Sequence, residues 1–202
     1  SKFINYGILD RGTIPLGAYF LKSGFAIYSD FGVPIGPISF YIQYLFFAIF
    51  DNLYFAIGIA PAILSLILTL IILKIGTKYK YSSLETFCLI IIFYFSLVFD
   101  EIFYNQLSSY FFTISIFILL LLKTKKKAII LISLLNILSI YTKHDVGLLS
   151  IPFFIFYIFL FSKENKMLNV LIYIICCIIF FFIFFIMFQL NFDDLKIWIN
   201  LN

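Results

Sequence analysis

Long apolar runs recur along this chain, separated by short polar interruptions. Residues 53–73, 84–99, 107–122, 128–142, 146–162 and 168–190 are each dominated by Ile, Leu, Phe and Tyr. Their length and all-round hydrophobicity predict α-helices whose neighbours are lipid or one another. Several fall short of the ~17–25 residues of a full membrane span. Either they extend into aromatic and polar flanks, or a polar cavity shortens the apolar path they cover.

Ahead of these runs the pattern is different. Residues 13 to 22 alternate as a short amphipathic helix, with Thr13 as a cap, Pro15 suited to an early turn and Gly24 able to end it. "DFGVPIGP" follows, a connection stiffened by Pro34 and Pro37 and turned by Gly32 and Gly36. "ISFYIQYLFFAIF" then predicts a helix too short to span comfortably, lying at the membrane surface with Tyr41 and Tyr44 at headgroup level. The expected fold class is therefore all-α: a polytopic transmembrane bundle with a long first outer loop containing juxtamembrane helices. Its parts are an outer loop over 1–50, about six spans over 51–190, and the start of a further outer segment over 191–202.

Composition agrees with a bilayer environment. Of 202 residues 64% are hydrophobic and 12% charged, more apolar surface than a soluble domain of this size buries. The charges sort by connection. Lys74, Lys78, Lys80, Lys123, Lys125, Lys126, Lys127, Lys163 and Lys166 share alternate loops with only Glu85 and Glu164. The other loops hold Lys2, Arg11, Lys22, Lys143 and Lys196 against eight acids. Lysine-rich loops mark the cytoplasmic side, which places residues 1–50 outside. A chain that begins at Ser1 with its first loop already outside is expected to have lost an upstream helix. The net charge of +4 is thus a topology signal and predicts no nucleic-acid partner. Cys88, Cys176 and Cys177 lie within apolar runs without metal or redox spacing, as packing residues do.

The first loop carries a resemblance. An acid at Asp10, a short helix, a Gly, "IYSDF" and then "GP" before an aromatic-rich stretch resemble the first outer loop of the GT-C superfamily. These are polytopic glycosyltransferases that use polyprenyl-phosphate sugars, among them dolichyl-phosphate-mannose protein mannosyltransferases and bacterial aminoarabinose transferases. "TKHDVGLLSIP" (residues 142–152) looks like the family's Lys-containing motif at an outer helix end. The resemblance implies a catalytic carboxylate at Asp10, a second acid at Asp30, and a multi-pass protein of a bacterial plasma membrane or the endoplasmic reticulum. Its partners would be a polyprenyl-phosphate sugar donor, a protein, lipid or glycan acceptor, and the bilayer. Family members often pair two acids at the first position, where this chain has Arg11. A carboxylate beside a guanidinium is a poor divalent-cation site, so no metal or other cofactor is expected.

The chemistry is self-consistent. A carboxylate takes the acceptor proton as the sugar carbon is attacked, and cations neutralise the departing phosphate. Arg11, Lys143 and His144 are the candidates for the phosphate. Asp100 and Glu101, beside Asn105 and Gln106, are candidates for acceptor hydroxyls. Each has a plainer reading. Asp10 can be a loop acid paired with Arg11 or Lys22, Asp30 can fix its loop by accepting backbone N–H groups, and "YTKHDVG" can be an ordinary polar turn. Asn136, inside an apolar run, reads as an interhelical hydrogen-bond partner. A transporter or flippase of lipid-linked saccharides is the competing function, and a non-catalytic scaffold the third.

Overall fold

The computed structural model describes residues 12–31, 35–97 and 104–194. Eight helices run through them: α1 Thr13–Lys22, α2 Pro37–Phe50, α3 Leu53–Tyr79, α4 Ser83–Leu97, α5 Tyr104–Leu122, α6 Lys126–Ile140, α7 His144–Phe161 and α8 Lys166–Met187. No strand occurs among the described residues, only an isolated bridge between Ile27 and Phe31. The first helix has the expected bounds. Its N-cap, however, is Gly12, with Thr13 the first helical residue, because the Gly12 carbonyl already accepts the Leu16 N–H at 3.0 Å. Gly24 then reverses the chain at φ +86°, a conformation that side chains disfavour.

Among the described residues four helices, α3, α5, α7 and α8, are long and apolar enough to cross a membrane. Helix α4 is described as far as Leu97, where the described residues pause, and α6 has 15 residues. That length rises ~22 Å, short of the ~30 Å hydrocarbon core. Among the described residues, four of the six expected spans are thus helices of spanning length. For α6 the reason is position: it sits among α5, α7 and α8, with Ala128, Ile129 and Ile132 fully buried. The more exposed apolar side chains, such as Leu149, Phe156 and Ile186, belong to α7 and α8, while α6 exposes Ile130 and Leu131.

The centre of the bundle is polar where α6 meets its neighbours. The Ser108 and Ser139 hydroxyls lie 2.6 Å apart, and the Asn136 amide donates to the Tyr173 hydroxyl at 2.7 Å. Asn136 also accepts from the Ser150 hydroxyl. It is therefore the interhelical partner its apolar setting predicts, tying α6 to both α7 and α8. Asn136→Ala removes both interhelical bonds, leaving the Ser150 hydroxyl only the Gly147 carbonyl of its own helix, and is expected to lower stability by about 1–2 kcal/mol. A detergent unfolding midpoint equal to that of the wild type would contradict this.

At one end of the bundle the Lys-rich turns come together. Lys78 donates to the Leu120 carbonyl at 2.6 Å, Tyr79 donates to the same carbonyl at 2.8 Å, and Thr124 donates to that of Phe161 at 3.5 Å. Helix α4 starts there on a capping box: the Ser82 N–H donates to the Glu85 carboxylate at 2.7 Å, and the Glu85 N–H donates to the Ser82 hydroxyl at 3.2 Å. The backbone N–H of Ser82, the largest cause, with its hydroxyl behind it, holds the Glu85 carboxyl below its ordinary value. The opposite end carries α1, α2 and the loop between them.

Candidate functional site on the outer face

The segment between α1 and α2 is fixed by short-range polar contacts. The Ala26 N–H donates to the Asp30 carboxylate at 2.7 Å, and the Asp30 N–H donates back to the Ala26 carbonyl at 3.1 Å. Tyr28 takes φ +71°, unusual for a bulky residue. Its N–H donates to the Phe31 carbonyl at 2.8 Å and its hydroxyl to that of Ile35 at 2.6 Å. Phe31 packs beneath, its ring 5.3 Å from Phe20 and 6.0 Å from Phe40. The "IYSDF" motif is thus a closed turn that buries Tyr28 and Phe31 and leaves Asp30 exposed.

The turn is docked onto the bundle through main chain. The Gly36 N–H donates to the Thr142 carbonyl and the Ile38 N–H to the Tyr141 carbonyl, each at 3.1 Å. These carbonyls close α6, and Lys143 and His144 follow directly. The Lys143 ammonium lies 3.7 Å from the Asp145 carboxylate and 5.6 Å from the centre of the Tyr104 ring. His144 Nε2 is 2.8 Å from the other Asp145 oxygen. One carboxylate therefore holds two of the three expected phosphate ligands, Lys143 and His144, at the N-terminus of α7, next to where the outer segment attaches. Lys143 is loosely paired, so its ammonium retains donors for a further anion.

An aromatic wall stands behind this junction. Tyr41 stacks on Phe188 at 4.7 Å, Tyr141 lies 5.7 Å from the same ring, and the Tyr141 hydroxyl donates to the Phe181 carbonyl at 2.9 Å. This ties α2, the end of α6 and the end of α8 together. Burial, and then the Asp194 carboxylate, push the Tyr28 hydroxyl well above its ordinary value, so it stays a donor.

Some of the expected residues are joined here and others are not. Lys143 and His144 share Asp145, and Asp30 lies on the same outer segment that docks beside them. Asp10, Arg11, Asp100 and Glu101 lie outside the described residues. For Asp30 the geometry gives the loop-fixing role, one of the two left open above. Substitution separates them: Asp30→Asn keeps an acceptor for the Ala26 N–H, whereas Asp30→Ala removes it, at about 1 kcal/mol of loop stability. The loop role predicts that only Asp30→Ala raises protease cleavage within residues 23–31. Equal cleavage of both variants would contradict it.

Three features escaped the sequence reading. Asp194 is 7% exposed and exchanges hydrogen bonds with Asn191, each N–H donating to the other's side chain at 2.8 Å. The N-x-x-D spacing is a capping-box signal that marks such a pair. Tyr28 lay inside a quoted motif without a role. On α2, Ser39 Oγ and Gln43 Nε2 are buried one turn apart without hydrogen-bond partners among the described residues, as is Asn105 Oδ1 at the start of α5. Buried polar atoms of that kind are rare and mark places where a hydroxyl or water completes the bonding.

Fold and geometry define a multi-pass helical membrane protein with a structured segment docked on one inter-helix turn. No family model, curated protein or solved structure matches the chain.

Proposed function

We propose that this protein is an integral membrane glycosyltransferase that moves a sugar from a polyprenyl-phosphate donor to an acceptor on the outer or lumenal side. The observation that carries the reading is the main-chain docking of Gly36 and Ile38 onto Tyr141 and Thr142. It joins the described part of the outer segment to the turn that bears Lys143 and His144, which supports a reading in which carboxylate and cation chemistry share one face.

In the proposed reaction the acceptor oxygen or nitrogen attacks the sugar C1 as the bond from C1 to the phosphate oxygen breaks. The phosphate leaves with the bonding electrons, and the acceptor proton passes to the Asp10 carboxylate. Lys143, with Arg11 and His144, neutralises the departing phosphate. Asp100 and Glu101 accept hydrogen bonds from the acceptor. The apolar helices hold the lipid tail. The resemblance in the first loop supports the role of Asp10, and the loose Lys143–Asp145 pair supports that of Lys143.

Lys143→Met is expected to raise the KM for a polyprenyl-phosphate sugar by about tenfold or more, the worth of one charged hydrogen bond. Transfer in membranes, measured over a donor concentration series at matched protein level, checks this. An unchanged KM would remove Lys143 from the donor site.

A further inference from the structure

The Lys-rich end of the bundle holds a cavity that the proposed transfer does not use. The α5–α6 and α7–α8 turns enclose an open cavity of about 420 Å³. Lys123, Lys125, Lys126 and Lys163 line it, with Glu164 the one acid. None of these four lysines is in an ion pair among the described residues.

Two helices also begin on this cavity. Lys125 and Asn165, the N-cap residues of α6 and α8, both line it, and neither helix has a side-chain cap. The Ile129 N–H is the first to reach a carbonyl of α6's own start, that of Lys125, and the Asn169 N–H the first in α8, reaching Asn165. The N–H groups just before them have no acceptor within their helix. Four lysines and two positive helix ends thus line one space, a combination that favours an anion.

The remaining wall is apolar. Phe161 and Leu168 line the cavity and are exposed, continuous with the outward-facing Leu160, Leu171 and Ile175 of α7 and α8. A small soluble anion has no use for that wall, whereas the glycerol and acyl chain of a lipid do. Topology alone requires lysines on this side but not a cavity with one cationic and one lipid-facing wall. We infer that this cavity binds the phosphate headgroup of an anionic phospholipid from the Lys-rich leaflet.

Native mass spectrometry of the delipidated full chain, titrated with phosphatidylglycerol, phosphatidylcholine or inorganic phosphate, tests the assignment. The variant K123Q/K125Q/K163Q removes three cavity charges, and K74Q/K80Q/K127Q removes three from the same face outside the cavity. Phosphatidylglycerol is expected to bind in preference to phosphatidylcholine, with affinity lowered at least about tenfold by the first variant and less than about twofold by the second. Equal losses in both variants would show diffuse attraction and overturn the site. So would the absence of any preference for phosphatidylglycerol. Binding of inorganic phosphate that displaces the lipid would overturn the headgroup assignment. Each of these failures leaves the outer-face reading intact, because Lys143 lies at the other end of α6.

Discussion

Gly36→Ala is expected to release the outer segment from the bundle. A Cβ at this position would lie 2.0 Å from the Tyr141 carbonyl oxygen, 2.4 Å from its carbon and 2.8 Å from the Thr142 oxygen. All three neighbours are backbone at the end of α6, so no flexible side chain can yield. The segment has to move, and with it go the hydrogen bonds from Gly36 and Ile38. Two such bonds at ~1 kcal/mol each and the overpacking cost together give a loss of about 2–4 kcal/mol. The expected result is a lower unfolding midpoint, new protease sensitivity over residues 23–36 and loss of any outer-face activity. Gly58 supplies the control, since nothing lies within 4 Å of a Cβ there. Gly36→Ala behaving like Gly58→Ala would mean that the docking contact is not what holds the segment.

Much of the architecture was legible because helices in lipid need continuous apolar runs, and these have visible ends. The run at 13–22 and the six longer ones each became a helix close to the expected bounds, except that α3 runs on from 73 to Tyr79 and takes in Lys74 and Lys78, expected in a loop. Run length did not reveal which helix is surrounded by others. Helix α6 is shorter than α5, α7 and α8, yet it is the one packed among them. Its signal lay in Ser133, Asn136 and Ser139, spaced three residues apart and paired with neighbouring helices.

The docking of the outer segment was not legible. Its contacts are main-chain N–H groups meeting main-chain carbonyls, which leave no side-chain signature beyond the need for a glycine at position 36. Lys143 and His144 were visible as charges in a short gap, whereas their common tie to Asp145 depends on the rotamers at the start of α7. Asp194 was visible as an acid after the last span. Its burial against the outer segment follows from a long-range return of the chain past Phe188 that periodicity does not encode.

The second large effect concerns the proposed base. Replacing Asp10 by Asn keeps the shape and removes the group that would take the acceptor proton. Loss of a general base lowers turnover by about 10²–10⁴-fold, while the donor, held by cations and by apolar helices, should still bind. A loop acid paired with Arg11 or Lys22 would instead change stability slightly and leave turnover alone. The two roles therefore differ in kcat and not merely in protein level.

The most direct measurement is sugar transfer by membranes containing the protein, supplied with a radiolabelled polyprenyl-phosphate sugar pool, comparing wild type with Asp10→Asn at matched protein level and measured donor binding. The account predicts transfer by the wild type, and binding without transfer by the variant. Equal transfer by both would contradict the role of Asp10, and binding without transfer by either would contradict the transferase reading and favour a carrier of lipid-linked saccharides.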